Sequence, residues 1–416
     1  MRKFTLTTLL CVYALISYAQ QSNVNSANYE IGNGINFNFN DGDYQFNIFG
    51  FIKPSYIYGE EDIYTSDGQT NNIYRQFKSQ NSNLFFTGKA AKEKLGFTIQ
   101  MDYSSSNPLV EAYISYFLNN KTTFHIGQMQ VGHNNLEMTH NEDMLRFTNR
   151  GMLSQTYTQQ GEEFGVFLES NFGSKFVINP MIALTSGDGR NSFGEDSRDS
   201  DKGGVKIGSR VNIFPFGNFS DGNGLTTVDI VREEELKAQF GFAYSKNFGA
   251  SNMVGDGHGD FIIYDDSGNE SYPDYSQLFF DVNLKYKGFS ILFEYADSFA
   301  SGLDNLYVDP NGFSILEPTQ ISEYLVLGES IGLQFGYFSK NNYSFDFMLE
   351  KFKPEFNNRE SAVSREFCNK GIGISKYLEG NNLKFQISAF ETKYKNFDEL
   401  DDNKFFSLVA LAQVRF

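Results

Sequence analysis

Apolar and polar residues alternate along most of this chain, in short stretches that are separated by polar connections. In the stretch 95–105 every second residue is apolar, namely Leu95, Phe97, Ile99, Met101 and Tyr103. Neighbouring side chains of a β-strand point to opposite faces, so this pattern predicts a strand with one apolar and one polar face. The last stretch, 405–416, repeats it with a wholly apolar even face that ends at Phe416.

The same alternation predicts about sixteen strands. They are expected at 44–57, 79–89, 95–105, 109–118, 121–131, 162–170, 175–186, 203–214, 237–247, 277–287, 289–299, 328–339, 343–353, 369–378, 383–394 and 405–416. A further alternating segment, 35–40, precedes the hairpin turn Asp41-Gly42. A strand of roughly 9–11 residues suits a tilted crossing of a bilayer.

The connections between these strands alternate in length along the chain. Short ones are expected at 90–94, 119–120, 172–174, 288, 340–342 and 379–382, and long ones at 58–78, 132–161, 187–202, 248–276, 300–327, 354–368 and 395–404. Bacterial membrane barrels have short periplasmic turns and long outer loops, whereas a soluble sandwich has no reason to sort its loops in this way. The pattern therefore predicts a transmembrane antiparallel β-barrel of about 16 strands, closed between 405–416 and 44–57.

Two connections depart from the alternation. The outer connection at Asn107-Pro108 is very short, and the inner connection 216–236 is long and carries Glu233, Glu234 and Glu235. The sequence offers no physical reason for the second departure.

Composition agrees with dispersed strands in a membrane. The chain has 44 Phe and 24 Tyr but no Trp, and the aromatic residues stand singly among polar ones. Residues 1–19 have the charged start, apolar core and final Ala19 of a secretory signal peptide. We therefore expect 20–43 to be a partly flexible amino-terminal segment, 44–416 to be the barrel, and the protein to lie among the lipids of a bacterial outer membrane. Phe416 is expected to act as the assembly signal.

Charge and cysteine content argue against a nucleic-acid-binding protein and against a disulfide-stabilised one. The formal charge of −17 becomes −19 when Arg2 and Lys3 leave with the signal, which makes nucleic acid a poor partner. Removal of Cys11 leaves Cys368 alone, so no intramolecular disulfide is expected.

The connection 132–161 mixes apolar and charged residues in a way that a solvated loop does not need. A barrel of about sixteen strands encloses an aqueous channel that can accept such a loop. Folding it inward would bring charged residues to a pore constriction, namely Glu142, Asp143, Arg146 and Arg150. The alternative is an outer loop that packs over the mouth of the barrel.

Strand alternation also predicts which charged residues face the lumen. The main candidates are Lys53, Asp102, Glu111, Lys206, Arg210, Asp281 and Lys285, with Lys384, Glu294 and Asp346 added by the same rule. Basic and acidic candidates are equal in number on a strongly acidic protein. Their balance argues against a general preference for anions.

Candidate metal sites are few. His133 and His140 share a connection with Glu137, Glu142 and Asp143, but no ligand spacing supports a metal there. The segments 256–260 and 265–270 are rich in oxygen ligands suited to calcium. We prefer to interpret both segments as solvated acidic loops, and no cofactor is expected.

Three functional classes remain open. The first is a diffusion porin that passes small hydrophilic solutes or ions. The second is a non-channel surface barrel whose acidic loops bind a partner or calcium, and the third is an exported soluble β-sandwich that binds glycans. The sequence has no G-x-S-x-G, H-E-x-x-H or P-loop motif, so an enzyme is not expected.

Several segments resemble the phosphate-selective porin O and P family, and together they cover most of the mature chain in order: Phe85–Gly127, Leu136–Arg150, Glu163–Leu168 and Gly187–Phe216. The resemblance implies a sixteen-stranded barrel in the outer membrane of a Gram-negative bacterium, a homotrimer, and a third loop folded into the lumen. It also implies a break after Phe214. Members named for phosphate line the pore with arginine, and the balanced charges here put phosphate selectivity in doubt.

Overall fold

A computed structural model describes residues 25–65, 68–190, 204–356, 362–395 and 403–416. Sixteen of its strands form one antiparallel sheet that closes into a barrel, as predicted. They are β3 (Tyr44–Thr65), β4 (Gly68–Ala90), β5 (Leu95–Asp102), β6 (Leu109–Asn119), β7 (Thr122–Gln130), β8 (Glu162–Ser170), β10 (Val177–Thr185), β11 (Lys206–Phe214), β12 (Lys237–Asn247), β13 (Asp274–Tyr286), β14 (Phe289–Ser301), β15 (Gly328–Phe338), β16 (Tyr343–Pro354), β17 (Phe367–Glu379), β18 (Leu383–Tyr394) and β19 (Asn403–Arg415).

Three shorter strands complete the sheet. Strands β1 (Ser26–Glu30) and β2 (Gly34–Phe39) precede the barrel, and β9 (Phe172–Gly173) lies in the turn after β8. The helices of the described residues are short, and α1 (Met152–Tyr157) is one of them. Within the described ranges, no helix is both long enough and apolar enough to cross a bilayer.

The barrel closes where the sequence predicts. Strand β19 pairs with β3 from Ser407 opposite Gly59 to Arg415 opposite Phe51. One residue further, Phe416 and Gly50 exchange two backbone hydrogen bonds of 2.9 Å. Closure leaves no bare sheet edge, which a membrane-spanning sheet requires because lipid cannot satisfy backbone groups.

The outer face of the barrel is apolar and the inner face is polar. Alternate residues of β13 show this: Leu278 is half-exposed on the outside, whereas Gln277, Asp281 and Lys285 are buried inside. The outward belt contains many aromatic and branched side chains, among them Phe97, Ile114, Ile182, Phe242, Ile331, Phe345, Ile372 and Phe385. A barrel with this apolar belt and polar interior is suited to the outer membrane.

The described part of the amino-terminal segment, 25–43, forms two strands beside the barrel. Strands β1 and β2 pair with one another, and β2 pairs with β3 from Ile35 opposite Ile48 to Phe39 opposite Tyr44. This part of β3 lies beyond the end of β19, so β2 supplies the backbone partners that β19 cannot reach. The predicted signal peptide 1–19 lies outside the described residues.

The first outer connection was predicted too long. Instead of a loop over 58–78, β3 and β4 remain paired from Gly59 opposite Tyr74 to Thr65 opposite Gly68. This long hairpin was missed because most residues of 59–72 are polar in the sequence, so apolar alternation no longer marks the strands. Apart from the short outer connection 103–108 and the long inner connection 215–236, short and long connections elsewhere alternate between the two ends of the barrel as predicted.

Candidate pore and its constriction

The segment 131–161, called here the inserted loop, folds into the barrel. Its apolar residues Leu136, Met144, Leu145 and Phe147 are buried there, as the inward alternative requires. Phe147 lies 5.8 Å from Phe390, measured between ring centroids. Burial of these side chains favours the inward position because water would otherwise surround them.

Two charged residues fix the tip of the inserted loop near the periplasmic end of the lumen. Arg146 donates to Asp346 Oδ1 at 3.0 Å and to Ser290 Oγ at 2.9 Å, and all three side chains are buried. Asp143 forms an ion pair with Arg415, next to the carboxy-terminal residue. Ser290 and Asp346 stand near the periplasmic ends of their strands, so the loop crosses most of the lumen.

Wall carboxylates hold the outer part of the inserted loop by its backbone. Glu294 Oε1 accepts from Glu137 N at 2.9 Å, and Glu350 Oε2 accepts from Met152 N at 2.8 Å. Helix α1 then packs its buried Tyr157 against the wall, and Tyr157 Oη donates to Gly328 O at 2.7 Å. The loop is thereby held at both ends and at its tip.

A second insertion enters from the periplasmic side. It is the long inner connection 215–236, called here the inner segment, which had no explanation in the sequence. The ammonium group of Lys285 donates to three of its carbonyl oxygens, those of Asn223, Thr226 (2.6 Å) and Val228 (3.1 Å). A buried lysine that donates all its protons to backbone carbonyls binds a segment firmly.

The acidic residues of the inner segment have local structural roles. The buried carboxylate of Glu233 accepts from Ser220 N and from Ser220 Oγ, both at 2.8 Å. A bond from Asn223 Nδ2 at 2.7 Å and these two bonds from Ser220 outweigh the effect of burial and lower the pKa of Glu233. Asp229 accepts from Gly288 N at 2.7 Å, which joins the segment to a periplasmic turn.

The two insertions meet inside the barrel. Thr226 Oγ1 donates to Met144 O at 2.8 Å, and Arg146 Nη2 donates to Thr227 O at 2.7 Å. Their other contacts are concentrated on the wall from β11 to β19. They fill much of that side of the lumen, although a cavity of about 610 Å³ at its outer end is bordered by Met152, Thr392 and Phe405. Further accessible polar groups lie along the opposite wall, from β3 to β11.

Glu142 and Arg150 face this accessible side. Their side chains are 26 % and 11 % exposed, and Arg150 Nε donates to Glu142 Oε1 at 2.6 Å. Burial alone would raise the pKa of Glu142, but the charges of Arg150 and Lys53 together hold it below its usual value. Glu142 is therefore an anion at neutral pH.

Lys53 supports this pair from the wall. Although strand alternation correctly directs it inward, it is buried and donates to Glu142 O at 2.9 Å. Asp102 accepts from Ser82 N at 3.0 Å and Ser104 N at 2.9 Å, which places it at the outer end of β5. Glu111 accepts from Gln130 N at 2.8 Å.

A second charged pair, Arg190 and Glu162, was not predicted. Arg190 donates to Glu162, and its side chain is 20 % exposed. Arg190 and Glu142 are close enough to interact electrostatically, so the two pairs belong to one charged region. Glu162 is the first residue of β8, and Arg190 lies in an outer loop. Nothing in the sequence pattern relates the two positions.

The remaining candidates for lumen-facing residues point inward, but their charged groups form buried ion pairs and hydrogen bonds. Arg210 donates to both carboxylate oxygens of Asp281 at 2.7 Å. Lys206 donates to Glu163 at 2.6 Å and to Asp256 at 3.2 Å. Arg210 also donates to Asn134 O at 2.8 Å, so it holds the inserted loop, as Asp143 and Arg146 do, while Lys285 holds the inner segment. Lys206 instead joins the wall to the outer loop that contains Asp256.

Two adjoining cavities continue the accessible side toward the periplasm. The larger has a volume of about 840 Å³ and the smaller about 370 Å³, and both are bordered by Thr123 and Glu169. The smaller reaches Thr139 of the inserted loop. Both cavities therefore lie against the wall from β3 to β11, nearer the periplasm than the charged region.

The described residues contain no group of three or more His, Cys, Asp and Glu side chains arranged to hold a metal ion. His140 is buried in the inserted loop, which lowers its pKa to about 3. His133 lies 3.7 Å from Glu163. In the segment 265–270, Asp265 Oδ1 accepts from the backbone N–H groups of Ser267 and Asn269, so this carboxylate shapes its own turn.

No protein-family model and no curated protein sequence matches the chain. Solved structures do match its fold. The outer membrane channel DcaP of Acinetobacter baumannii is 13% identical, with a TM-score of 0.55 over 90% of this chain and 97% of that one.

A second match is OmpT, an outer membrane protein of Vibrio cholerae. Its loop L8 deletion mutant is 10% identical with a TM-score of 0.52, over 90% of this chain and 100% of that one. Its trimer form is 9% identical with a TM-score of 0.50, over 90% and 99%. The chain therefore has the fold of outer-membrane β-barrels, which agrees with the predicted location.

Proposed function

We propose that the chain is a diffusion channel of the outer membrane that passes small hydrophilic solutes or ions without catalysis. The observation that supports it best is the accessible polar side of the lumen. Glu142, Arg150, Arg190 and Glu162 lie there, with 26 %, 11 %, 20 % and 7 % of their side chains exposed, and two cavities adjoin the same side nearer the periplasm. Charged groups at such a constriction govern which ions pass.

The balance of charge at this region opposes phosphate selectivity. Each arginine, Arg150 and Arg190, is paired with a glutamate at hydrogen-bond distance. The most strongly basic residues deeper in the lumen, Arg146 and Arg210, are also neutralised by buried aspartates. We still propose that the chain resembles the phosphate-selective porin O and P family in architecture and forms a homotrimer, but not that it selects phosphate.

Planar-bilayer recording tests the proposal directly. The folded protein, purified in detergent and identified by its heat-modifiable gel migration, is expected to give stepwise conductance. Light scattering coupled to size exclusion should give the mass of a trimer. A correctly folded barrel that inserts into the bilayer but conducts no ions would exclude the channel.

A non-channel surface barrel is the second candidate, because the outer loops form an ordered cap. Ile263, Leu306, Ile321 and Leu325 are buried together in this cap. Tyr307 bridges two of its segments through backbone pairing with Tyr264. Binding of calcium or a partner to the cap would make conductance depend on that ligand, so recordings with calcium and with a chelator distinguish the candidates.

A further inference from the structure

The periplasmic end of the lumen contains the larger cavity, of about 840 Å³, between the β1–β2 hairpin and the wall from β3 to β8. Binding pockets for small ligands commonly have volumes of about 300–1,000 Å³. The cavity lies on the accessible side of the lumen, on the route that the proposed function gives to a crossing solute. The residues that line the cavity therefore help to determine which solutes the channel binds.

Side-chain amides dominate one wall of this cavity. Asn28 stands opposite Asn36, and Asn36 stands opposite Asn47, so the three amides form a row across β1, β2 and β3. Asn38 lies in the next row, opposite Gln45. An amide side chain offers two donors and one acceptor oxygen, which matches a hydroxyl group that both donates and accepts.

These amides have hydrogen-bonding capacity to spare. In the described part of the chain, Asn28, Asn36 and Asn38 make no side-chain hydrogen bond. The Oδ1 atom of Asn47 is buried without a partner. The amide groups of Asn28, Asn36 and Asn38 are exposed or part-exposed, so they are available to hydrogen-bond a ligand in the cavity.

The opposite wall supplies a histidine and an aromatic ring. His125 is 9% exposed, and its Nδ1 lies 2.8 Å from Ser115 Oγ. Its Nε2 has no hydrogen-bond partner and lies 3.8 Å from Glu169 Oε2. The ring of Tyr113, which also borders the cavity, lies 5.6 Å from the imidazole.

The charges at the cavity do not favour an anion. Lys89 is its one basic residue and forms an ion pair with Glu93, whereas Glu30 and Glu169 are acidic. Neutral amides and an aromatic face together suit a ligand with many hydroxyl groups and apolar ring faces.

We propose that this cavity binds neutral oligosaccharides, which makes hydroxyl-rich sugars the preferred solute of the channel. The inference rests on the proposed function for its biological meaning, because the cavity lies on the proposed path. The row Asn28, Asn36 and Asn47 holds the sugar hydroxyls, and Tyr113 contacts a ring face.

Titration calorimetry on the folded protein in detergent, with maltohexaose as the probe, measures this binding without conductance. We expect saturable binding, and Asn36→Leu with Asn47→Leu should weaken it about tenfold, since each hydrogen bond to a neutral group contributes a few-fold. Asn341→Leu, in an exposed periplasmic turn, is the matched control and should bind as the unmodified protein does. Asn28→Leu on the edge strand β1 provides a second variant if the pair does not fold.

Two results would overturn the inference: no heat from maltohexaose, or tighter binding of inorganic phosphate than of the sugar. Bilayer recording then separates the two proposals. A conducting protein that does not bind maltohexaose removes the sugar site and leaves the channel. Sugar binding by a barrel that does not conduct keeps the site and removes the channel.

Discussion

Arg150 donates from its Nε atom to Glu142 Oε1 at 2.6 Å, so the two accessible charges of the inserted loop neutralise one another. Arg150 also donates to the carbonyl oxygens of Glu137 and His140, both at 2.7 Å, which fixes its guanidinium to the loop. This pair is therefore a rigid element of the lumen surface, and its net charge should determine ion preference there.

Replacing Arg150 by Gln should shift the channel toward cations, because Glu142 would lose its counter-charge. The reversal potential in a tenfold salt gradient should move by about 10 mV, a fraction of the ~59 mV limit for a monovalent ion. Lys340→Gln, which removes the same charge from an exposed periplasmic turn, is the control. Equal shifts in both variants would mean that Arg150 does not border the ion path.

Acidification should produce the opposite change. The pKa of Glu142 lies below its ordinary value of 4.5, so its charge persists from neutral pH down to that region. As pH falls through this lowered pKa, Glu142 takes up a proton and leaves Arg150 uncompensated. Reversal potentials measured from pH 7 to pH 3 should then shift toward anions only at the acidic end. In Glu142→Gln this step should be absent, and an unchanged step would assign it to another group.

Arg146 has a different role from its neighbour Arg150. Its replacement by Met would leave Asp346 buried without its partner, which typically costs about 3–5 kcal/mol. Heat unfolding followed by gel migration should show an earlier transition. Asp346→Leu added to the same protein should recover most of the loss, because an apolar pair removes the unpaired charge. No recovery would mean that Arg146 acts mainly through Thr227 and Ser290.

The different roles of Arg146 and Arg150 show which features of the site cannot be predicted from the sequence. Alternation correctly directs Lys206, Arg210, Asp281 and Lys285 into the barrel, since strand period alone decides which face a residue occupies. Alternation does not show what occupies the lumen, so the partners of these residues were unpredictable. The inserted loop has no regular period, and its four charged candidates divide into Glu142 and Arg150 on the accessible side and Asp143 and Arg146 in buried pairs.

Lys285 should control the inner segment. Replacement by Met leaves the three carbonyl oxygens of Asn223, Thr226 and Val228 without their donor, at about 1–3 kcal/mol each. The segment should then leave the lumen more often, which raises single-channel conductance and exposes 215–236 to protease. Lys376→Met, in which the lost contact is one exposed carbonyl, is the control. Unchanged conductance together with unchanged proteolysis would show that other contacts suffice.

Deletion of Phe416 should impair assembly before it impairs conductance. Its backbone exchanges two hydrogen bonds of 2.9 Å with Gly50, so the deletion shortens the closing seam between β19 and β3. The remaining seam still extends from Ser407 to Arg415, which should keep any assembled barrel closed. Surface levels should fall while the few inserted channels conduct normally. Phe416→Tyr keeps the backbone bonds and an aromatic ending, and it should assemble; normal surface levels in the deletion would contradict a role in assembly.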